Sequence, residues 1–66
     1  MPMIRVEMFT GRTPEQKSAF TTAVTEAFVA HCGGTPQSVH VVFYDIARHD
    51  WGVNGKLMSE AAPPKT

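Results

Sequence analysis

The chain has a single cysteine, no excess of either charge and no long apolar run. One cysteine, Cys32, excludes a disulfide within the chain. Six basic and six acidic residues cancel, which argues against a nucleic acid or an anionic membrane as partner. No apolar stretch approaches the roughly 20 residues of a transmembrane helix, and no basic-then-apolar signal segment opens the chain. We therefore expect a cytoplasmic protein.

The sequence also lacks the motifs that usually hold metals, nucleotides or redox cofactors. Its three histidines are scattered, without the spacing of a metal site. There is no phosphate-binding loop, no dinucleotide fingerprint and no Ser/His/Asp signature. The sequence therefore predicts neither a metal nor a cofactor.

Small size favours association. A chain of 66 residues forms one domain and buries only about 60% of its unfolded surface, so its stability alone is marginal. Proteins of this size usually add disulfides, a metal or contacts between subunits. Because the sequence supports neither of the first two, we expect a homo-oligomer.

Three features of the sequence predict one helix: capping residues at its start, a pair of glycines at its end, and apolar residues at helical spacing between them. Thr13 fits an N-cap, Pro14 the first helical position, and Gln16 completes a capping box. Gly33-Gly34 ends the pattern, which predicts a helix from about Thr13 to Cys32. The apolar residues at helical spacing are Phe20, Ala23, Val24, Ala27 and Phe28.

Two segments have strand patterns, residues 3–9 by alternation and residues 39–46 by β-branched and aromatic content. The helix between them predicts a βαβ unit with parallel strands, and glycines within residues 51–57 predict a short hairpin. The expected fold class is α+β, with residues 1–60 as the domain and residues 61–66 as a flexible tail. Since one helix covers one face, the sheet must be completed by oligomerisation.

Pro2 is the residue with the most distinctive chemistry. Methionine removal works on small second residues, so the mature chain is expected to start with a free prolyl amine. An α-amino group has a reference pKa of about 7.7–8.0, and a dry, cationic pocket would lower it. Such a secondary amine could act as a base near neutral pH. The simpler interpretation is a proline that only precedes a strand, a position where proline is tolerated.

Four short motifs follow one another along nearly the whole chain. They are Pro2, the segment Gly11 to Lys17, the pair Ser38-Val39, and the segment Trp51 to Leu57. In this combination the chain resembles a short subunit of the 4-oxalocrotonate tautomerase family. The resemblance implies an isomerase without a cofactor that assembles as a hexamer, a trimer of dimers, with pocket residues from more than one subunit.

The resemblance also implies roles for single residues. Pro2 would be the general base, Arg12 would bind a substrate carboxylate, and Trp51 would wall the pocket and exclude water. The reaction would be keto–enol isomerisation of a small unsaturated acid such as 2-hydroxymuconate, as in aromatic catabolism. From the residues alone, Arg12 could equally be solvated and Trp51 could be interface packing.

His40 stands where the family has a second arginine. It could be a structural histidine or a weaker polar contact to the substrate. A mostly neutral imidazole cannot copy a permanent bidentate cation, so we expect weaker turnover of dicarboxylates. Arg5 or Arg48 could compensate.

Two other functions fit the same sequence. If Pro2 stayed protonated, it could act as an acid in hydration or dehalogenation of unsaturated acids, although no carboxylate is clearly placed to activate water. If Pro2 were blocked, for example by a retained Met1, the chain could be a non-catalytic oligomeric module.

Overall fold

The computed structural model describes residues 2–60, which form a strand–helix–strand unit followed by a short hairpin. Met1 and the expected tail at residues 61–66 lie outside the described residues. The elements are β1 (Met3–Phe9), α1 (Pro14–Cys32), β2 (His40–Ile46), β3 (Gly52–Val53) and β4 (Lys56–Leu57). The predicted α+β class, with a βαβ unit and a hairpin, is therefore confirmed.

The start of α1 forms as its sequence predicts. Thr13 is the N-cap, and its hydroxyl accepts a hydrogen bond from the Gln16 backbone N–H at 3.1 Å. The Gln16 side chain in turn accepts one from the Thr13 N–H at 2.9 Å. This capping box satisfies donors that the first turn would otherwise leave unpaired. At the other end, Gly33 adopts a φ of 88°, a conformation that favours glycine.

Strands β1 and β2 pair in parallel, with Met3 opposite His40 and Phe9 opposite Ile46. Helix α1 covers the face that carries Val6 and Phe43, because the Phe20 ring contacts the Phe43 ring edge-on with centroids 6.0 Å apart. No helix covers the other face within residues 2–60. That open face carries Met3, Arg5, Glu7 and Phe9 from β1, and His40, Val42, Tyr44 and Ile46 from β2.

The face of α1 that packs on the sheet differs in part from the predicted apolar stripe. Val24 and Phe28 are half-buried as expected, but Phe20 remains 46% exposed and Ala23 is exposed. Thr21, which is outside that stripe, is half-buried, and its hydroxyl donates to the Lys17 carbonyl at 2.8 Å. This bond satisfies the hydroxyl inside the helix, so a threonine can be half-buried at little cost.

No hydrophobic residue among residues 2–60 is fully buried in the single chain. The large hydrophobic side chains that remain exposed are Met3, Phe20, Tyr44, Val53 and Leu57. A two-stranded sheet with one bare face is marginal in water, and apolar surface gains free energy by leaving water. The open sheet is consistent with completion by oligomerisation. Helix α1 is not apolar enough to cross a membrane, and the described residues contain no other long helix.

Candidate active site

Pro2 and His40 lie together at the amino end of the parallel sheet. Pro2 immediately precedes β1, and its carbonyl accepts a hydrogen bond from the His40 backbone N–H at 3.0 Å. The proline is half-buried, whereas the His40 residue is exposed. Because a proline nitrogen donates no ladder hydrogen bond, Pro2 suits the first position before a strand. The sheet thus fixes Pro2 beside the start of β2.

Arg12 and Trp51 follow the opposite, carboxyl end of the sheet. The Thr10 N–H closes that end by donating to the Ile46 carbonyl at 3.2 Å. The chain then turns at Gly11, whose φ of 121° favours glycine, and exposes Arg12 before α1 begins. Trp51 comes after the short helical turn that follows β2, and its ring lies 4.6 Å from the Phe9 ring.

The four predicted site residues are therefore divided between two ends of the molecule. Strand β1 has seven residues, and at about 3.3 Å per residue it spans about 23 Å. A small acid cannot bridge that distance, so Pro2 and Arg12 of one chain cannot contact the same substrate. The structure brings Pro2 to His40, and it brings Trp51 to Phe9. Within one chain, the Pro2–His40 pair and the Trp51–Phe9 pair stay at opposite ends of the sheet.

A groove of about 270 Å³ lies between the first half of α1 and the sheet. It is lined by Val6, Met8, Arg12, Gln16, Lys17, Phe20 and Phe43. Of the predicted site residues it contains only Arg12, because the groove lies on the helix-covered face. Lys17 is tied there to Asp45 by an ion pair. The groove is thus at most one part of a binding site.

An aromatic cluster at the carboxyl end was only partly foreseen. The Phe9 and Trp51 rings are tilted by 53°, and the Arg48 guanidinium carbon lies 4.2 Å from the centre of the Phe9 ring. From the sequence, Arg48 is only one of two arginines that could compensate for His40. The contact depends on how residues 48–50 turn after β2. Among residues 2–60, no three acidic, histidine or cysteine side chains group as metal ligands do.

The family of tautomerase enzymes matches residues 2–61 of the chain. A probable tautomerase, RSp1151, from Ralstonia nicotianae is 37% identical over 60 residues, which cover 91% of this chain and 92% of that protein. The 2-hydroxymuconate tautomerase of Comamonas testosteroni is 36% identical over 60 residues, covering 91% and 95%. The chain belongs to the tautomerase family, and its relatives support an isomerase.

Solved structures agree with the fold. The crystal structure of YwhB, a homologue of 4-oxalocrotonate tautomerase, superposes with a TM-score of 0.88 at 31% identity and covers 92% of this chain and all (100%) of that one. A chain of the heterohexameric 4-oxalocrotonate tautomerase of Chloroflexus aurantiacus has a TM-score of 0.84 at 27% identity, covering 94% and 100%. The family resemblance expected from the four motifs is confirmed.

Proposed function

We propose that this protein is a cofactor-independent tautomerase in which Pro2 is the general base. The substrate class is a small unsaturated 2-hydroxy or 2-oxo acid, such as 2-hydroxymuconate, and the location is the cytoplasm. Membership of the tautomerase family and the name of the Comamonas relative support the reaction class. The observation that carries the proposal is the placement of Pro2, held half-buried at the start of the sheet by the His40 N–H.

Because Pro2 lies at one end of the sheet and Arg12 and Trp51 lie at the other, a complete site would need two copies of the chain. Within residues 2–60, each strand of the two-stranded sheet leaves one edge without a partner. Two copies related by a two-fold axis can pair such edges in antiparallel fashion. That pairing sets the Pro2 end of one copy beside the Arg12 and Trp51 end of the other. A homohexamer built from three such dimers would contain six complete sites, and a heterohexameric relative supports an assembly of this size.

The proposed chemistry needs only proton transfer and charge stabilisation. The Pro2 nitrogen of one copy removes the proton from the enol oxygen of the substrate. The electron pair moves along the conjugated system, a carbonyl forms, and the same proton is returned to a carbon. A positioned base contributes about 10²–10⁴-fold to such a step.

The binding groups would come from the neighbouring copy. Arg12 would hold a carboxylate through charge-assisted hydrogen bonds. The Phe9 and Trp51 rings would exclude water, which strengthens the electrostatic interactions with the developing oxyanion. His40, beside Pro2, would offer a polar contact to the other end of the substrate.

This function can be tested by asking whether the Pro2 nitrogen is a free amine or part of an amide. We expect the intact mass of the purified chain to be that of the sequence without Met1. A variant with one alanine inserted before Pro2 converts the amine into an amide and should lose at least about 10²-fold in kcat/KM. Pro2→Ala is the matched control, because it keeps an amino terminus and should retain a modest rate.

Two results would overturn the proposal. One is a working enzyme whose mass includes Met1, since Pro2 would then be an amide. The other is full tautomerase activity in the alanine-insertion variant or in Pro2→Ala.

A further inference from the structure

Lys17 forms an ion pair beside the groove that Arg12 also lines. Its ammonium group lies 2.5 Å from the Asp45 carboxylate, and the pair joins the first turn of α1 to the carboxyl end of β2. The Lys17 side chain is 23% exposed and that of Asp45 is 41% exposed. The two opposite charges are therefore partly shielded from water, and they cancel each other at this point of the groove.

Arg12 lies close to this ion pair but takes no part in it. Arg12 and Lys17 line the same groove of about 270 Å³, and the Lys17 N–H donates to the carbonyl of Thr13, the residue after Arg12, at 3.0 Å. Asp45 is the second-last residue of β2, beside the end of β1 from which the chain turns to Arg12. Among the residues that the structure describes, no side chain pairs with the Arg12 guanidinium. Arg12 is thus the unpaired cation of this groove.

The unpaired state of Arg12 depends on what neutralises Asp45. Opposite charges near a protein surface attract each other more strongly than they do in bulk water. Without Lys17, Asp45 would keep a negative charge with no partner, and Arg12 is the other cation that lines the groove. Its long, flexible side chain would then pair with Asp45 instead of with an anionic ligand.

We propose that Lys17 is a positioning residue: by neutralising Asp45, it keeps the Arg12 guanidinium free to bind the substrate carboxylate. This inference rests on the proposed function, in which Arg12 makes that contact. Lys17 itself touches neither the substrate nor the base, so its effect should be on binding.

Binding of trans,trans-muconate to the assembled protein, measured by calorimetry, tests the inference without turnover, because this dicarboxylate has no enol. Lys17→Met keeps a side chain of similar length beside the Phe43 ring and removes the charge. It should weaken muconate binding by about fivefold, the upper end for a partly exposed ion pair. Lys17→Arg keeps the charge and should bind muconate nearly as wild type does. The matched control is Lys56→Gln, which removes an exposed charge from the hairpin and should not change binding.

Asp45→Asn separates this role from a structural one. Lys17→Met and Asp45→Asn break the same ion pair, so thermal denaturation should show similar losses of stability in the two variants. Only Lys17→Met should lose affinity for muconate, since Asp45→Asn also removes the carboxylate that competes for Arg12. The double variant Lys17→Met/Asp45→Asn should therefore bind muconate about as wild type does. In an Arg12→Gln background, which should bind muconate weakly, Lys17→Met should have little further effect.

Several results would overturn the inference. They are wild-type affinity in Lys17→Met, an equal loss of affinity in Asp45→Asn, and no recovery in the double variant. An equal loss would mean that the ion pair only ties α1 to the sheet. Wild-type muconate affinity in Arg12→Gln would also overturn it, since Arg12 would then not hold the carboxylate. The proposed function fails separately, by full turnover with the Pro2 nitrogen blocked, and muconate binding would not report that failure.

Discussion

The two ends of the parallel sheet differ in what they contribute. The amino end holds Pro2 and His40, joined through the backbone, and Pro2 is the base in the proposed function. The carboxyl end holds Arg12 and the cluster of Arg48, Phe9 and Trp51, which carries cations and apolar rings. In the proposed function, the amino end carries out the reaction and the carboxyl end binds the substrate. The length of β1 keeps the two ends about 23 Å apart, so the proposed function requires each end to meet the opposite end of another copy.

The largest effect at the carboxyl end is expected from Arg12→Gln. Loss of a preorganised cation at the substrate carboxylate should lower kcat/KM for 2-hydroxymuconate by about 10²–10³-fold. The matched control is Lys56→Gln, which removes one exposed positive charge from the hairpin and should stay near wild type. Steady-state kinetics on the assembled proteins measures both. Wild-type kcat/KM in Arg12→Gln would contradict the division of roles between the two ends.

A pH profile tests the role of the amino end. A base must be unprotonated, so kcat/KM should rise with pH by about tenfold per unit below the pKa of the Pro2 amine and then level off. An acid that hydrates an unsaturated substrate requires the opposite slope. A profile that falls as pH rises through neutrality would exclude Pro2 as the base and favour the hydratase alternative.

His40→Arg is expected to have the smallest effect. It adds a permanent cation beside Pro2, so turnover of a dicarboxylate should rise by about tenfold. His31→Arg is the matched control, because His31 is exposed in the last turn of α1. An unchanged or lower rate in His40→Arg would show that a cation at the amino end does not help to bind the substrate.

Local signals in the sequence predicted the elements well. The capping box of Thr13 and Gln16 involves residues three apart, and its hydrogen bonds form as the pattern indicates. The bounds of β1 follow from alternation, and this alone already separates Pro2 from Arg12. Such features are encoded by near neighbours, and a single sequence is enough to predict them.

Contacts between distant segments were harder to predict. The apolar stripe of α1 was partly wrong, because hydrophobicity alone does not show that Thr21 satisfies its hydroxyl at the Lys17 carbonyl and can be half-buried. The contacts of Arg5 with the Tyr44 ring and of Arg48 with the Phe9 ring were not foreseen either. Those distances follow from strand register and from the turn after β2, and residue spacing does not specify them.

Mixing two inactive variants tests the divided site most directly. One variant carries the alanine insertion before Pro2, and the other is Arg12→Gln; each is unfolded and refolded alone or together with the other. If every site takes its base from one copy and its carboxylate-binding arginine from another, the co-refolded mixture contains some intact sites. We predict that tautomerase activity returns in the mixture and not in either variant alone. A mixture that forms hybrid assemblies by native mass spectrometry yet stays inactive would contradict the account.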